Sequence, residues 1–308
     1  MGDVNLDPAA AFCALLNQHG AANRVSEMSE ILWQIRVPRM CIAMLVGFAL
    51  AISGYLLQSL SRNALADPYL TGVSSGSCLA VAVAMIAGVN YSMLPLLAFV
   101  GGLVTSVIVA MLAKSTSGIS ISRLLLAGVG LSAICGAIIT MILVHTSLTA
   151  QGQGLFFWLY GGIAGRTWNE FFPASVCTLL GAATAFAMTK QIRLLSLGTD
   201  SAASLGLDVS RTQWVLLSAA VLMCGAAVSV SGLVGFVGLI APHLARLLFG
   251  RDERMHLITA GIIGMVLVLL SDLAARTLGQ GQELPLGTLL SLVGGPFFLI
   301  LISRKSKG

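Results

Sequence analysis

Charge is what this chain most lacks. Of its 308 residues, 9% are charged and 57% are hydrophobic. A soluble domain carries about 25% charged residues, so this chain lacks the charge to solvate a globular surface. It reads as an all-α, polytopic membrane protein. A proton or cation relay would want several buried carboxylates, and of the 12 acidic residues only Asp272 approaches such a position. The net charge of +5 would suggest nucleic acid in a soluble protein. Here the basic residues fall in short loops between apolar runs, which points to membrane orientation instead.

Other absences narrow the chemistry. The six cysteines form no C-x-x-C pair and read as small apolar packing residues rather than metal ligands or disulfides. No Gly-x-x-x-x-Gly-Lys-Ser/Thr loop occurs, so nucleotide cannot be held by a P-loop. There is no H-E-x-x-H, and His19, His145, His243 and His256 share no ligand spacing. No nucleophile elbow is present. A membrane enzyme centred on His243 therefore has no positive support, and no cofactor or metal is expected. No n-region or apolar h-region marks a signal peptide. Ala9–Leu16 is too short to cross a bilayer, which takes roughly 20 apolar residues. Residues 1–30 read as an N-terminal segment on the outer face.

What is present is a series of apolar segments: Met40–Leu60, Val73–Val89, Met93–Ala113, Leu124–Val144, Phe171–Thr189, Trp214–Val230, Val234–Phe249, His256–Leu273 and Leu284–Ile302. They predict nine spanning helices, several short and glycine-interrupted, as suits segments buried in protein or lining a pathway. With the first helix running inward, twelve of the 17 basic residues lie on the inner side. The positive-inside rule then puts the N-terminus outside and the C-terminus in the cytoplasm, with residues 304–308 as a basic tail.

A buried charge in a span usually marks function. Asp272 is the clearest candidate, and the i,i+4 spacing puts it on one face with Arg276. It reads as a helix-end ion pair or, for an ion-coupled secondary transporter, as a relay carboxylate. Energy for transport otherwise requires a partner, and the loop at residues 190–211 suits one. It carries two Leu-Gly pairs, Leu197-Gly198 and Leu205-Gly206, around the helix-compatible run "TDSAAS". Thr199 or Asp200 is expected to cap that helix, and Gly206 to end it in a left-handed turn. An exposed short helix with small residues suits a groove in another protein; the alternative is a solvated connector. In "GLVGFVGLIAPHLARLLFG", Gly232, Gly235 and Gly238 are expected to share one helix face, Pro242 to bend that helix, and His243 to pack near the cytoplasmic boundary.

The motifs "ILWQIRVPRM", "SRNALADPYLTGVSSGS", "SRLLLAGVGLSAI", "LLSLGTDSAASLGLDVSR", "SGLVGFVGLIAPHLARLLFG", "SDLAARTL" and "ELPLGTLLSLVGGPFFLILI" occur in this order. Over residues 31–303 they resemble the FecCD-type permeases, membrane subunits of ATP-driven importers for iron–siderophore complexes, haem and vitamin B12. The resemblance implies a permease without its own ATPase site, in the cytoplasmic membrane, working with a second permease, either another copy of itself or a paralogue. Two ATP-binding subunits would bind below and a substrate-binding protein above. An iron(III) chelate is the expected cargo, with cobalamin as the alternative. The family has ten helices, and the match begins after the first of them, so a nine-helix chain is expected here.

By the same resemblance, Arg36, Arg39 and Arg276 match arginines that meet acids on the binding protein; lipid-headgroup anchoring is their other reading. Leu197, Gly198, Ala203, Leu205 and Gly206 match the coupling helices that enter the ATPase. Asn63, Ala64, Leu65 and Ala66, with Ile121 and Ser122, match loops narrowing the cytoplasmic gate. The family commonly has proline where this chain has Ala64, which leaves that loop less rigid. Tyr55, Gln58 and Ser74 are expected to line the path, Gln58 alternatively bonding between helices.

Overall fold

A computed structural model describes residues 30–115, 118–146, 150–248, 252–279 and 284–305. Most of the N-terminal segment, Phe249 to Arg251 and the last three residues of the basic tail lie outside them.

Among the described residues, twelve α-helices form a single bundle. A π-helical turn, Leu32–Arg36, leads into α1 (Val37–Ser61), with Pro38 in its first turn, where a missing N–H costs nothing. A 3-10 turn, Pro68–Thr71, precedes α2 (Val73–Ile86), and α3 (Leu94–Leu112) follows. A two-residue-per-strand hairpin, β1 (Lys114–Ser115) and β2 (Gly118–Ile119), leads to α4 (Ile121–Thr146). The glycine- and aromatic-containing stretch that the sequence left unassigned holds α5 (Ala150–Leu159). Then come α6 (Trp168–Ala187), α7 (Thr189–Ser196) and α8 (Thr199–Ser204). α9 (Val209–Ser231), α10 (Val237–Leu248), α11 (Glu253–Leu278) and α12 (Leu286–Lys305) complete the chain.

Each predicted span coincides with a helix. Six helices, α1, α3, α4, α6, α9 and α11, are long and apolar enough to cross a membrane, while α2, α10 and α12 present shorter apolar stretches. Burial sorts the long ones. Within their most apolar windows, α1 and α9 are 72% and 78% buried, against 17% for α4 and 28% for α6. A helix apolar all round belongs in a core or a membrane. Here α1 and α9 are the core, and α4 and α6 turn apolar faces such as Leu126, Met141, Val176 and Leu179 outward.

α1 and α11 run antiparallel, and their contact follows residues four apart. Arg39, Ala43, Gly47, Ala51 and Tyr55 form the ridge on α1; His256, Ala260, Gly264, Val268 and Asp272 form it on α11. Arg39 meets Asp272, Gly47 meets Gly264 and Tyr55 meets His256. Such i±4 ridges pack into one another's grooves. At the centre the backbones approach so closely that a Cβ on Gly47 would run into the backbone of Gly264, and the reverse. Gly54 makes the same kind of approach to Gly238 of α10.

α2 and α10, of 14 and 12 residues, are about 21 and 18 Å long, short of the roughly 30 Å hydrocarbon core. Their N-terminal ends meet inside the bundle. Tyr69, just before α2, donates its hydroxyl to the Val234 carbonyl and accepts from the Val234 N–H, both at 2.9 Å. Irregular backbone at such depth survives because protein supplies its hydrogen bonds. This corrects the expected glycine face. Gly232 caps the end of α9 in a positive-φ conformation, Gly235 lies in the connection, and only Gly238 is helical.

Leucine at Gly47 is expected to destabilise the bundle by about 1–3 kcal/mol or more, as overpacking does. Gly136→Ala, where a Cβ meets nothing within 4 Å, is expected to be neutral or to stabilise by up to about 1 kcal/mol. Thermal unfolding of the purified protein in detergent distinguishes them; equal midpoints would refute the ridge contact.

Candidate functional site

Two polar regions sit at opposite ends of the α1–α11 pair. At the Arg36 end, the Asp272 carboxylate is 2% exposed. Arg39 donates to Oδ1 through Nη2 at 2.8 Å and Nε at 3.0 Å, and Arg276 Nε lies 3.3 Å from Oδ2. A carboxylate shared by two guanidinium groups satisfies most of its lone pairs. The expected Asp272–Arg276 pair is present; its second partner, 233 residues away in sequence, was not foreseen. The same geometry leaves Asp272 committed to cations, against a relay role. It also qualifies the reading of the three arginines as a docking set. Arg39, with a side chain 13% exposed, is first of all an internal clamp. Arg276, at 35%, still presents part of its side chain outward, and Arg36 is half-buried one turn before Arg39.

At the Arg246 end, Tyr55 donates its hydroxyl to Glu253 Oε2, and His256 Nδ1 lies 3.8 Å from the same oxygen. The Arg246 guanidinium stands 5.5 Å from the centre of the Tyr55 ring, within cation–π range. Tyr55 is 1% exposed and Gln58 2%. Both are therefore packed inside the subunit, and Gln58 makes the interhelical bond that was its alternative to lining the path. Gln58 has a specific task there. Pro242 in α10 has no N–H to give the Gly238 carbonyl four residues back; Gln58 Nε2 donates to that carbonyl at 3.0 Å instead. Ser53 similarly donates to the Ala220 carbonyl of α9 at 2.8 Å. Ser74 is half-buried in the first turn of α2. His243 sits edge-on to Phe297, ring centres 6.4 Å apart. Among the described residues no group of three His, Cys, Asp or Glu could hold a metal.

The segment at residues 190–211, expected to meet a partner, also lies at this end. α8 occupies the predicted run, but its N-cap is Gly198 at φ 113°, with no side-chain bond from Thr199 or Asp200. Its C-terminus closes as expected. Gly206, at φ 85°, donates to the Ala203 carbonyl at 2.9 Å, and Leu207 donates to that of Ala202 at 3.1 Å, the paired bonds of a Schellman motif. Ala202 is fully buried, whereas Ala203 is exposed and Leu197 and Leu205 are 60% and 62% exposed. The segment is thus a rigid projection with two apolar shoulders. A Cβ on Gly198 would lie 3.1 Å from Arg62 Nη1, so the end of α1 touches the projection. Arg62 opens the 62–66 loop, where Asn63 Oδ1 accepts from the Leu65 N–H at 3.0 Å. Asn63 and Leu65 are exposed, Ala64 is half-buried and Ala66 buried. Ile121 and Ser122 begin α4 at the same end. A local hydrogen bond thus orders the loop that lacks a proline at Ala64.

The model of the FecCD transport family matches residues 1–304. The hemin transport system permease protein HmuU of Yersinia pestis is 40% identical over 286 residues, covering 90% of this chain and 84% of that one. The vitamin B12 import system permease protein BtuC of Vibrio vulnificus is 36% identical over 280 residues, covering 90% and 83%. Among solved structures, a metal-chelate type ABC transporter in an inward-facing conformation is similar at a TM-score of 0.84. It has 28% identity and 96% of each chain is covered.

Asp272→Asn strands Arg39 and is expected to cost about 3 kcal/mol, the low end for breaking a buried pair. Arg276→Gln, at a more exposed partner, is expected to cost about 0–1 kcal/mol. Denaturation midpoints check this order, and a larger loss in the Arg276 variant would reverse the assignment. Gln58→Leu leaves the Gly238 carbonyl without its donor and is expected to cost about 1–3 kcal/mol. Ala at Pro242 in that background, which restores an N–H, is expected to recover part of it.

Proposed function

The chain belongs to the FecCD transport family, and on that premise we propose that it is the permease of an ABC importer carrying an iron(III) chelate, a siderophore complex or haem, into the cytoplasm. Two ATP-binding subunits supply the energy, a second permease copy completes the path, and a substrate-binding protein delivers the cargo. Cobalamin import by the same mechanism is the second reading, favoured by the likeness to a vitamin B12 permease; the higher identity to a hemin permease favours haem.

The observation that carries the proposal is the projection at α8. A chain without a P-loop has no means to bind nucleotide by one. It carries instead a capped, rigid helix seated on buried Ala202 and flanked by exposed Leu197 and Leu205. Exposed apolar shoulders on a rigid element suit insertion into a groove of a partner. A displacement of α8 would reach α1 through Arg62 and pass as rigid-body tilt along the α1–α11 pair. Arg62 also begins the 62–66 loop, so the same displacement would move the proposed gate formed with Ile121 and Ser122. At the other end, Arg36 and the exposed part of Arg276 offer cations to acidic residues of a binding protein. Arg39 acts there by holding α1 and α11 in register.

Leu205→Asp is expected to abolish chelate uptake by cells while leaving the protein in the membrane, because a charge at the shoulder cannot enter an apolar groove. Uptake of radiolabelled ferric siderophore, haem and cobalamin, with the partner subunits co-expressed, would be measured alongside recovery of the ATP-binding subunits with the permease. Normal uptake and normal recovery in the variant would remove the coupling role. Uptake that persists in ATP-free vesicles but collapses with an uncoupler would remove the ATP-driven mechanism itself.

A further inference from the structure

Two adjoining cavities lie away from both polar regions, at the Arg36 end of the bundle. The first, of about 450 Å³, is lined by Tyr91, Ser92, Trp158, Gly162, Arg166 and Glu170, among others. The second, of about 420 Å³, shares Ser92 and Glu170 with it and continues between α3, α6 and α9. Its walls are apolar: Pro95, Leu96 and Phe99 on one side, Pro173, Ala174 and Cys177 on the other. The nine residues from Asn169 to Cys177 carry the slot about 12 Å along α6. Leu96, Phe172 and Val176 beside it are 58%, 60% and 56% exposed, so it opens between two apolar helix surfaces that this chain leaves uncovered.

The polar cavity holds two charges of opposite sign, each with hydrogen-bonding capacity left over. Arg166 is fixed by its Nε–H donating to the Val230 carbonyl at 2.8 Å, one of the last carbonyls of α9. Its two terminal nitrogens have no hydrogen bond to the described residues. The Glu170 carboxylate accepts from the Thr167 N–H at 2.9 Å and hydroxyl at 2.7 Å, both on Oε2. That capping box leaves Oε1 without a donor among the described residues. Arg166 and Glu170 line one cavity and yet make no ion pair with each other. Burial lowers the Arg166 pKa from its usual value, but a guanidinium stays protonated at any physiological pH. Trp168, whose indole N–H donates to the Trp33 carbonyl at 2.9 Å, stacks with Phe172 and meets Phe171 edge-on, next to Glu170 in the chain. Aromatic belts of this kind mark the headgroup level of a membrane.

The geometry points to a structural lipid site for a zwitterionic, amine-bearing phospholipid: its phosphate on Arg166, its ammonium on Glu170, and one acyl chain in the slot between α3 and α6. A purely anionic headgroup would satisfy Arg166 but meet the free Glu170 oxygen, a like charge. A phosphate diester presents two oxygens to the forked guanidinium, and an amine gives Glu170 a donor. The apolar slot fits a chain from the leaflet whose headgroups lie beside Trp168. This assignment is independent of which chelate the permease carries.

The test is native mass spectrometry on the full chain, delipidated in detergent, in the oligomer that it forms. The probes are phosphatidylethanolamine, phosphatidylglycerol and water-soluble glycerophosphoethanolamine. The expected result is retention of phosphatidylethanolamine at least tenfold more tightly than phosphatidylglycerol, with negligible binding of the soluble headgroup. Arg166→Gln and Ala174→Phe, which fills the slot, are each expected to weaken retention tenfold or more. Glu170→Gln is expected to erase the preference between the two lipids while keeping both bound. It serves as the second variant should Arg166→Gln fail to fold. Equal or tighter binding of phosphatidylglycerol to the unaltered chain overturns the zwitterionic assignment. Tight binding of the soluble headgroup, or full retention in Ala174→Phe, overturns the lipid site.

Discussion

The structure depends on how closely α1 and α11 approach. Inside a bilayer there is no water to drive apolar helices together, so association rests on close packing and on polar contacts. The α1 ridge of Arg39, Ala43, Gly47, Ala51 and Tyr55 supplies both. Its middle is small enough for backbones to touch at Gly47 and Gly264, and its ends carry an ion cluster and a tyrosine–acid contact. The polar ends fix the register that the smooth middle alone would leave free to slide. Around this pair the remaining core is tied to backbone oxygens: α9 through Ser53 and α10 through Gln58.

A pair pinned at both ends behaves as one body. Just past the end of α1, the Arg62 side chain reaches towards Gly198 beside α8, while Arg39 and Asp272 lock the opposite end. Irregular connections adjoin this pair. The 62–66 loop is ordered by Asn63 Oδ1 accepting from the Leu65 N–H and by the Ala66 N–H donating to the Asn63 carbonyl. The connection at 232–236, with Phe236 at φ 68°, is closely packed: a Cβ on Gly161 or Gly287 would run into the Leu233 carbonyl, and one on Gly294 into the Phe236 side chain.

Much of this arrangement was legible in the sequence, and the failures share a cause. Spans were readable because hydropathy is a local sum, and α8 because a glycine at each end of "TDSAAS" punctuates the chain locally. Gly206 took its left-handed turn for that reason. Arg39 and Asp272 were named separately, but nothing local joins residues so far apart. The four-residue spacing of Ala43, Gly47 and Ala51, facing Ala260 and Gly264, was the available signal. Gly232, Gly235 and Gly238 failed as a helix face because equal spacing does not show that a helix is continuous. Gly232 ends one helix and Gly238 belongs to the next.

Tyr55 and Gln58 show why polar residues in a span mislead. A hydroxyl or amide in an apolar run invites assignment to a water-filled path, because burying it unpaired costs several kcal/mol. The alternative is that some backbone group needs it more. Pro242 removes one donor from α10, and the freed Gly238 carbonyl lies against α1 where Gly54 lets the helices touch. A glutamine one turn further along α1 reaches that carbonyl. Proline, glycine and glutamine, scattered over nearly two hundred residues, thus answer a single hydrogen-bond deficit. Gln58 is already spoken for, and its loss would be felt as instability rather than as a change in what is carried.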